Sequence, residues 1–243
     1  MREKKLLMIK KGLFIMTMFL SVANILTMIF FRHKVDIGNV IFRAVQYTFM
    51  LLVLAAPGLL KKWFKIEVPL GLYVIIAVFA FNALVLGDAL NFYGRYPWWD
   101  SVLHFNSGII LSVVAFWVIH LIMSEKSKYI YLNKYFLSLF IIMFSLGAGA
   151  FWEICEYTYD DIFHTNSQQY METTEGTLIG GEDIPLKGHA ALSDTMKDLM
   201  VNFVGAVVFS AIGILYLKHR GKGKLAASLI PQVRDTDAET SEK

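Results

Sequence analysis

Acidic side chains and one histidine recur at helical spacing in three separate segments of the chain. Asp100 and His104 are four residues apart, so a helix would place both on one face. Two more segments carry polar stripes of the same kind, Glu153, Glu156 and Asp160 in one and Asp194, Asp198 and Asn202 in the other. Carboxylates on apolar helices must avoid lipid, because an exposed charge there costs several kcal/mol. The spacing therefore predicts that the three stripes face one another.

The predicted cluster carries far more negative than positive charge. Its carboxylates are Asp88, Asp100, Glu153, Glu156, Asp194 and Asp198. Protonation or a bound cation relieves such an excess, and carboxylates with one imidazole suit a divalent ion such as Mg²⁺, Mn²⁺, Ca²⁺ or Zn²⁺. We predict a divalent metal site, with the metal unassigned, whose ligands come from Asp100, His104, Glu153, Glu156, Asp194 and Asp198, with Asp88 and Asn202 as supporting polar groups. The alternative is a hydrogen-bonded network that only holds the helices together.

A metal site of this kind would permit hydrolytic or transfer chemistry. Glu153 and Glu156 are the candidate general bases, and Arg43 is the candidate for holding an anion such as a phosphate. The sequence contains neither a GxSxG nucleophile motif nor an HExxH zinc motif, so acyl-enzyme and zincin mechanisms lack support.

Six apolar stretches carry these residues. Of the 243 residues, 56% are apolar and only 18% are charged, and the mean hydropathy is +0.52, which is typical of a membrane protein. The stretches are long enough to cross a bilayer core of about 30 Å, and they cover roughly residues 13–31, 39–60, 68–90, 101–123, 135–157 and 198–217. The sequence thus predicts an all-α fold, a polytopic membrane bundle of six transmembrane helices.

The polar groups in five of these stretches lie at one predicted depth. At about 1.5 Å per residue, they are roughly 25–29 Å from the far end of each helix; these groups are Arg43, Asp88, His104, Glu153 and Asp198. Small residues at 147–150 and 205–206 would let the helices that carry the acidic stripes approach closely. The cluster is therefore expected at one boundary of the membrane.

The distribution of positive charge predicts how the bundle is oriented. Fifteen Lys and Arg residues lie on the side that holds both termini and five on the other, which places both termini in the cytoplasm. We expect residues 1–225 to form the transmembrane domain, with an extracytoplasmic loop at 158–197, and residues 226–243 to form a disordered cytoplasmic tail. A net charge of +3 does not indicate nucleic acid, so the expected partners are membrane lipids, and the oligomeric state stays open.

Three sequence runs resemble known membrane proteins: DSVLHFNSG at 100–108, EICE at 153–156 and DTMKDLMVNFVGA at 194–206. They resemble the uncharacterised bacterial inner-membrane family typified by YjdF and, more loosely, the VanZ-like proteins linked to glycopeptide resistance, over about residues 70–217. VanZ-like proteins more often have Gln where Glu156 stands, and they lack the long acidic loop. The resemblance implies a bacterial plasma-membrane protein of the same six-helix plan, with a shared polar set of Asp100, His104, Glu153, Glu156, Asp194, Asp198 and Asn202, and it implies no established reaction.

Three classes of function remain open from the sequence. The first is a metal-dependent enzyme acting on lipid head groups or cell-envelope precursors, with a lipid-linked or phosphate-bearing substrate. The second is a cation- or proton-coupled transporter, which the clustering of acidic groups at one boundary disfavours. The third is a non-catalytic membrane protein that binds or senses a lipid, an ion or a partner.

Overall fold

A computed structural model of the protein describes residues 2–35, 37–126, 134–163, 166–171 and 184–218. Within these residues the chain is helical, and one helix continues into a nine-residue π-helical segment. The elements are α1 (Arg2–Phe31), α2 (Ile37–Phe64), α3 (Leu70–Ala80), the π-helical segment (Phe81–Ala89), α4 (Phe92–Arg95), α5 (Trp99–Lys126), α6 (Lys134–Phe163) and α7 (His189–Lys218). The described residues form no β-strand, although an isolated bridge pairs Met171 with Pro185.

Six helices in the described part of the chain are long and apolar enough to cross a membrane. They are Glu3–Phe31, Ile37–Phe64, Leu70–Ala89, Trp99–Ile119, Tyr135–Ile162 and His189–Gly213. Many of their large apolar side chains are exposed, including Phe19 and Phe30, which are 71% and 72% exposed. Such surfaces suit contact with lipid rather than water. The predicted all-α bundle with six transmembrane helices is therefore confirmed, while the predicted tail at 226–243 lies outside the described residues.

The helices next to the predicted acidic loop are longer than the sequence predicted. α6 continues to Phe163 and α7 begins at His189, so the connection is much shorter than the expected 158–197. Hydropathy falls before the helix ends, because the last turns of α6 and the first turns of α7 carry polar residues. Asp160 and Asp194 therefore belong to helices, and the part of the loop at 172–183 lies outside the described residues.

The six spanning helices pack in two groups. α5, α6 and α7 contact one another, with the most extensive contact between α5 and α7. α1, α2 and α3 form the second group together with the π-helical segment, around buried residues such as Tyr47, Met50 and Val85. In this group, Asn24 Nδ2 of α1 donates a 2.8 Å hydrogen bond to the backbone oxygen of Val40 in α2. α3 and the π-helical segment also contact α5 and so join the two groups.

The crossing of α5 and α7 depends on two glycines. A Cβ atom added at Gly108 would overlap the backbone oxygen of Asn202, and one added at Gly205 would overlap the backbone oxygen of Phe105. Small residues allow transmembrane backbones to approach in this way. Gly108 lies one helical turn from His104, and Gly205 lies two turns from Asp198. The close crossing therefore fixes how the polar stripes of α5 and α7 face each other.

Candidate functional site

Three helices bring their polar stripes together at one end of the α5, α6 and α7 group. Asp100 and His104 lie in the first two turns of α5, Glu153 lies two thirds of the way along α6, and Asp198 lies in the third turn of α7. Each is carried by a regular helix, so the helix period sets its direction. These four residues are called the acidic site below.

The histidine is the centre of the acidic site. His104 Nε2 lies 3.5 Å from Asp100 Oδ1, and His104 Nδ1 lies 3.9 Å from Glu153 Oε1. One ligand atom each from Asp100, His104 and Asp198 lies within 4.8 Å of the others. Two ligands on opposite sides of an ion at 2.0–2.6 Å are about 4.0–5.2 Å apart, so these three atoms have the spacing of a metal site.

Two carboxylates of the acidic site have buried oxygens without a hydrogen-bond partner among the described residues. The Glu153 side chain is only 5% exposed, and the residue Asp198 is 2% exposed. Both carboxylate oxygens of Glu153 and Oδ1 of Asp198 have no hydrogen-bond partner among the described residues. A buried charge without a partner costs several kcal/mol. The site therefore calls for protons or a cation to neutralise it.

The other predicted acidic ligands lie at the rim of the acidic site. Asp194 is half-buried, one turn before Asp198 on α7, and within electrostatic range of Asp100 and His104. Glu156 is half-buried on α6, and its Oε1 accepts a 2.6 Å hydrogen bond from Trp152 Nε1. Neither residue shares the close ligand spacing found for Asp100, His104 and Asp198 within the described chain.

Asp88 and Arg43 were predicted at the same depth, and the structure separates them. Asp88 is half-buried in the π-helical segment and lies within electrostatic range of Asp100. Arg43 is exposed on α2, a helix that packs chiefly against α1, α3 and the π-helical segment. The described contacts of the acidic site do not include Arg43, so its anion-holding role stays a prediction.

Asn202, the predicted supporting residue on α7, lies one turn after Asp198. Its side chain is fully buried and lies 2.9 Å from Ser107 Oγ and 3.4 Å from Ser145 Oγ. Ser145 Oγ also donates to the backbone oxygen of Gly108 at 3.1 Å. These contacts join α5, α6 and α7, and the supporting role of Asn202 in the site stays a prediction.

A short segment after α6 contacts the helices that carry Glu153 and Asp198, and the sequence did not predict these contacts. The two carboxylate oxygens of Asp160 accept hydrogen bonds from the backbone N–H groups of Ser167 and Gln168, at 2.7 and 2.9 Å. Gln168 Nε2 then donates to the backbone oxygen of Glu153 at 3.3 Å and to Thr195 Oγ1 at 3.0 Å. Gln168 therefore ties α6 to α7, and no periodic pattern could have identified it in a connection.

Tyr93 is a second residue that the sequence did not single out. It belongs to α4, and its ring packs so closely on Gly87 that a Cβ atom there would overlap it. Burial raises the pKa of the Tyr93 phenol well above its ordinary value, and the nearby carboxylates of Asp88 and Asp100 raise it further. Tyr93 is therefore a neutral phenol beside the acidic site. The sequence feature that could have indicated a closely packed ring here is Gly87, one residue before Asp88.

Comparisons with known proteins agree with this architecture. The family described as "Predicted membrane protein (DUF2238)" matches residues 14–219, which include most of all six spanning helices. A Thermotoga maritima protein named "Uncharacterized protein" is 26% identical over 169 residues, which is 69% of this chain and 73% of that protein. No solved structure matches the chain. The resemblance to YjdF-type membrane proteins agrees with the family match, and the chain belongs to the predicted membrane protein family DUF2238.

Proposed function

We propose that the acidic site binds a divalent metal ion and that the protein is a metal-dependent enzyme of the membrane boundary. The observation that carries the proposal is the convergence of Asp100, His104 and Asp198, whose ligand atoms lie within 4.8 Å of one another. Two carboxylates and an imidazole form a donor set suited to ions such as Mn²⁺ or Zn²⁺. Their two negative charges would offset the charge of the ion.

Glu153 supplies the second argument for this site. Its carboxylate lies 3.9 Å from His104, and neither of its oxygens has a hydrogen-bond partner in the described chain. A hydrogen-bonding network built only for stability would leave few such groups unsatisfied. We assign Glu153 the role of general base, accepting a proton from an attacking water or hydroxyl group. A bound divalent ion would supply Lewis acidity and polarise the oxygen of the group under attack.

The substrate class follows from where the acidic site lies. The site is at an end of the spanning helices, next to exposed aromatic side chains such as Trp98, which is 55% exposed and whose ring centroid lies 5.7 Å from that of Trp99. Aromatic side chains are enriched at the level of lipid head groups. We therefore propose a phosphate-bearing lipid head group or a lipid-linked envelope precursor as the substrate, because such molecules present their polar part at this depth.

We propose that the protein lies in a bacterial plasma membrane. In the proposed orientation, both termini are in the cytoplasm and the acidic site is at the outer face. The argument is the excess of Lys and Arg on the side opposite the acidic site. Reporter fusions test it: a cytoplasm-dependent reporter fused after residue 225 should be active, and a periplasm-dependent reporter should be silent. The reverse pattern would invert the bundle and place the acidic site inside.

Metal analysis of the purified full chain tests the binding site. Wild-type protein should carry about one equivalent of a divalent metal, and Asp198→Asn and His104→Ala should lose it while remaining folded. Asp161→Asn is the matched control, because Asp161 is an exposed carboxylate on α6, outside the acidic site. Wild-type protein that binds no Mn²⁺ or Zn²⁺ at millimolar concentration would refute the metal site.

A second experiment separates an enzyme from a metal-binding or transport protein. Glu153→Gln keeps the proposed ligands, so it should retain metal and lose turnover of phosphate-bearing lipids by about 10²–10⁴-fold, as expected for removal of a general base. Turnover is followed as head-group or phosphate release from vesicles. Retained turnover in this variant would refute the role of Glu153. Metal binding without turnover, together with ion flux in proteoliposomes, would instead favour the transporter.

A further inference from the structure

A groove between α1 and α2 lies at the end of the bundle opposite the acidic site. It has a volume of about 570 Å³, which is within the usual range for small-molecule sites. Its lining includes Lys10, Lys11, Phe14 and Met18 of α1 and Leu54 and Ala55 of α2. We call it the basic groove. Its two lysines lie at one end, and apolar side chains continue from them toward the membrane centre.

Lys10 is fixed at the end of the basic groove by an aromatic ring. Its Nζ lies 5.1 Å from the centroid of the Tyr73 ring, a cation–π distance. The Tyr73 hydroxyl donates a 3.0 Å hydrogen bond to the backbone oxygen of Leu54, which anchors the ring on α2. The ammonium group is therefore held in place without an acidic partner.

The positive charges of the basic groove are not neutralised within the described chain. Ion pairs among the described residues include Lys61 with Glu67, and His104 with Asp100 and Glu153. Lys10 and Lys11 take part in none of these pairs. Two adjacent lysines at a membrane boundary attract an anionic group from the lipid head-group layer.

The wall of the basic groove suits an acyl chain. Phe14 is 49% exposed and Met18 is 39% exposed. Both lie in a helix apolar enough to cross a membrane, so both side chains are accessible to lipid. Lys10 and Met18 are eight residues apart on α1, which is about 12 Å along the helix axis. A ligand that fits both features has a negative head group at the level of the lysines and a hydrocarbon chain beside it.

We propose that the basic groove binds one anionic phospholipid from the leaflet at the N-terminal end of α1. The phosphate contacts Lys10 and Lys11, and an acyl chain lies against Phe14, Met18 and Ala55. A zwitterionic lipid with the same chains keeps the apolar contacts and cancels the charge attraction, so charge complementarity selects the anionic lipid. This proposal is independent of the chemistry at the acidic site.

Native mass spectrometry of the full chain tests the proposal. The protein is titrated in detergent with dioleoyl phosphatidylglycerol or dioleoyl phosphatidylcholine, which differ only in the head group. Wild type should bind one phosphatidylglycerol with a clear preference over phosphatidylcholine. The variant Lys10→Gln/Lys11→Gln should lose this preference by about 25-fold, from about fivefold for each lysine near a membrane surface.

Two further variants separate the groove from general surface charge. Lys4→Gln/Lys5→Gln removes the same charge from the same helix outside the groove lining, so it should keep the preference. Ala55→Trp fills the groove and leaves both lysines in place, so it should weaken phosphatidylglycerol binding at least tenfold, with an unchanged melting temperature as the check on folding. An equal loss in both lysine pairs, unchanged binding in Ala55→Trp, or a wild type without preference would each overturn the proposal.

Discussion

Replacing Gly205 by alanine adds a methyl group at the point where α7 crosses α5. The new Cβ would overlap the backbone oxygen of Phe105 and lie 3.2 Å from its carbonyl carbon, while carbon atoms pack best at about 3.5–4.0 Å. The obstructing atoms are backbone, so no side-chain rotation relieves the overlap and the two helices must separate. Overpacking lowers the free energy of unfolding by about 3 kcal/mol at the upper end of its usual range. The better helix propensity of alanine raises it by about 1 kcal/mol.

The expected net loss of about 2 kcal/mol is measurable as a change in melting temperature. For a chain of this size it corresponds to a decrease of about 4–8 °C, followed by tryptophan fluorescence in detergent, since the chain contains 5 Trp residues. Gly213→Ala is the matched control on the same helix, because a Cβ atom there meets nothing within 4 Å. The control should melt at the wild-type temperature or slightly above it.

The same substitution also tests the link between helix packing and the acidic site. Asp198 lies two turns from Gly205, so separating α7 from α5 moves its carboxylate away from Asp100 and His104. Stabilisation by added Mn²⁺ or Zn²⁺, expected for wild type, should therefore be weaker in Gly205→Ala and intact in Gly213→Ala. Melting temperatures of the two variants within about 1 °C of each other would refute the close crossing.

Three more predictions concern the surroundings of the acidic site. Asp160→Asn should destabilise the protein by about 1–3 kcal/mol and expose residues 166–171 to limited proteolysis, because its carboxylate accepts two backbone N–H bonds; Asp161→Asn should do neither. Ser145→Ala should lower stability by about 1 kcal/mol in thermal unfolding, since its buried hydroxyl joins α6 to α5. Because burial raises the Tyr93 pKa, the neutral phenol stabilises the fold at neutral pH and this contribution is lost as pH rises above about 10. The melting temperature of wild type should therefore fall relative to Tyr93→Phe over that pH range, and parallel curves would contradict the assignment.

Helix length and helix period were enough to predict the spans and the pairing of polar stripes. A run of about 20 apolar residues has few alternatives in a bilayer, which explains why six spans could be read from the sequence. The i,i+4 spacing of Asp100 and His104 directly gives two groups on one face, and the structure places them 3.5 Å apart. Because charged groups avoid lipid, the sequence also predicted that these two residues face Glu153 and Asp198.

Depth along a helix, in contrast, does not reveal which neighbour packs there. Arg43 was predicted at the depth of the acidic groups, yet it is exposed on α2, which packs chiefly in the other helix group. Small residues were expected to mark close approach, but a Cβ atom at Gly147 meets nothing within 4 Å, whereas Gly149 contacts Asn202. Both outcomes depend on the rotation of each helix about its axis and on its partner, which are set by tertiary packing and not by local spacing.

The acidic site and the basic groove carry opposite charges that are too far apart to neutralise each other. The acidic site and the basic groove lie near opposite membrane boundaries, about 25–30 Å apart, where even at an effective dielectric constant of 20 two unit charges attract by less than about 1 kcal/mol. Leaving the buried carboxylate of Asp198 uncompensated costs more than that, whereas the exposed ammonium group of Lys11 keeps its hydration. We therefore propose separate counter-charges, a cation held by Asp100, His104 and Asp198 and a lipid phosphate at Lys10 and Lys11. Because the two ends are so far apart, their stabilising effects should be additive, and a strong interaction between Asp198→Asn and Lys10→Gln/Lys11→Gln in a double-mutant cycle would contradict this separation.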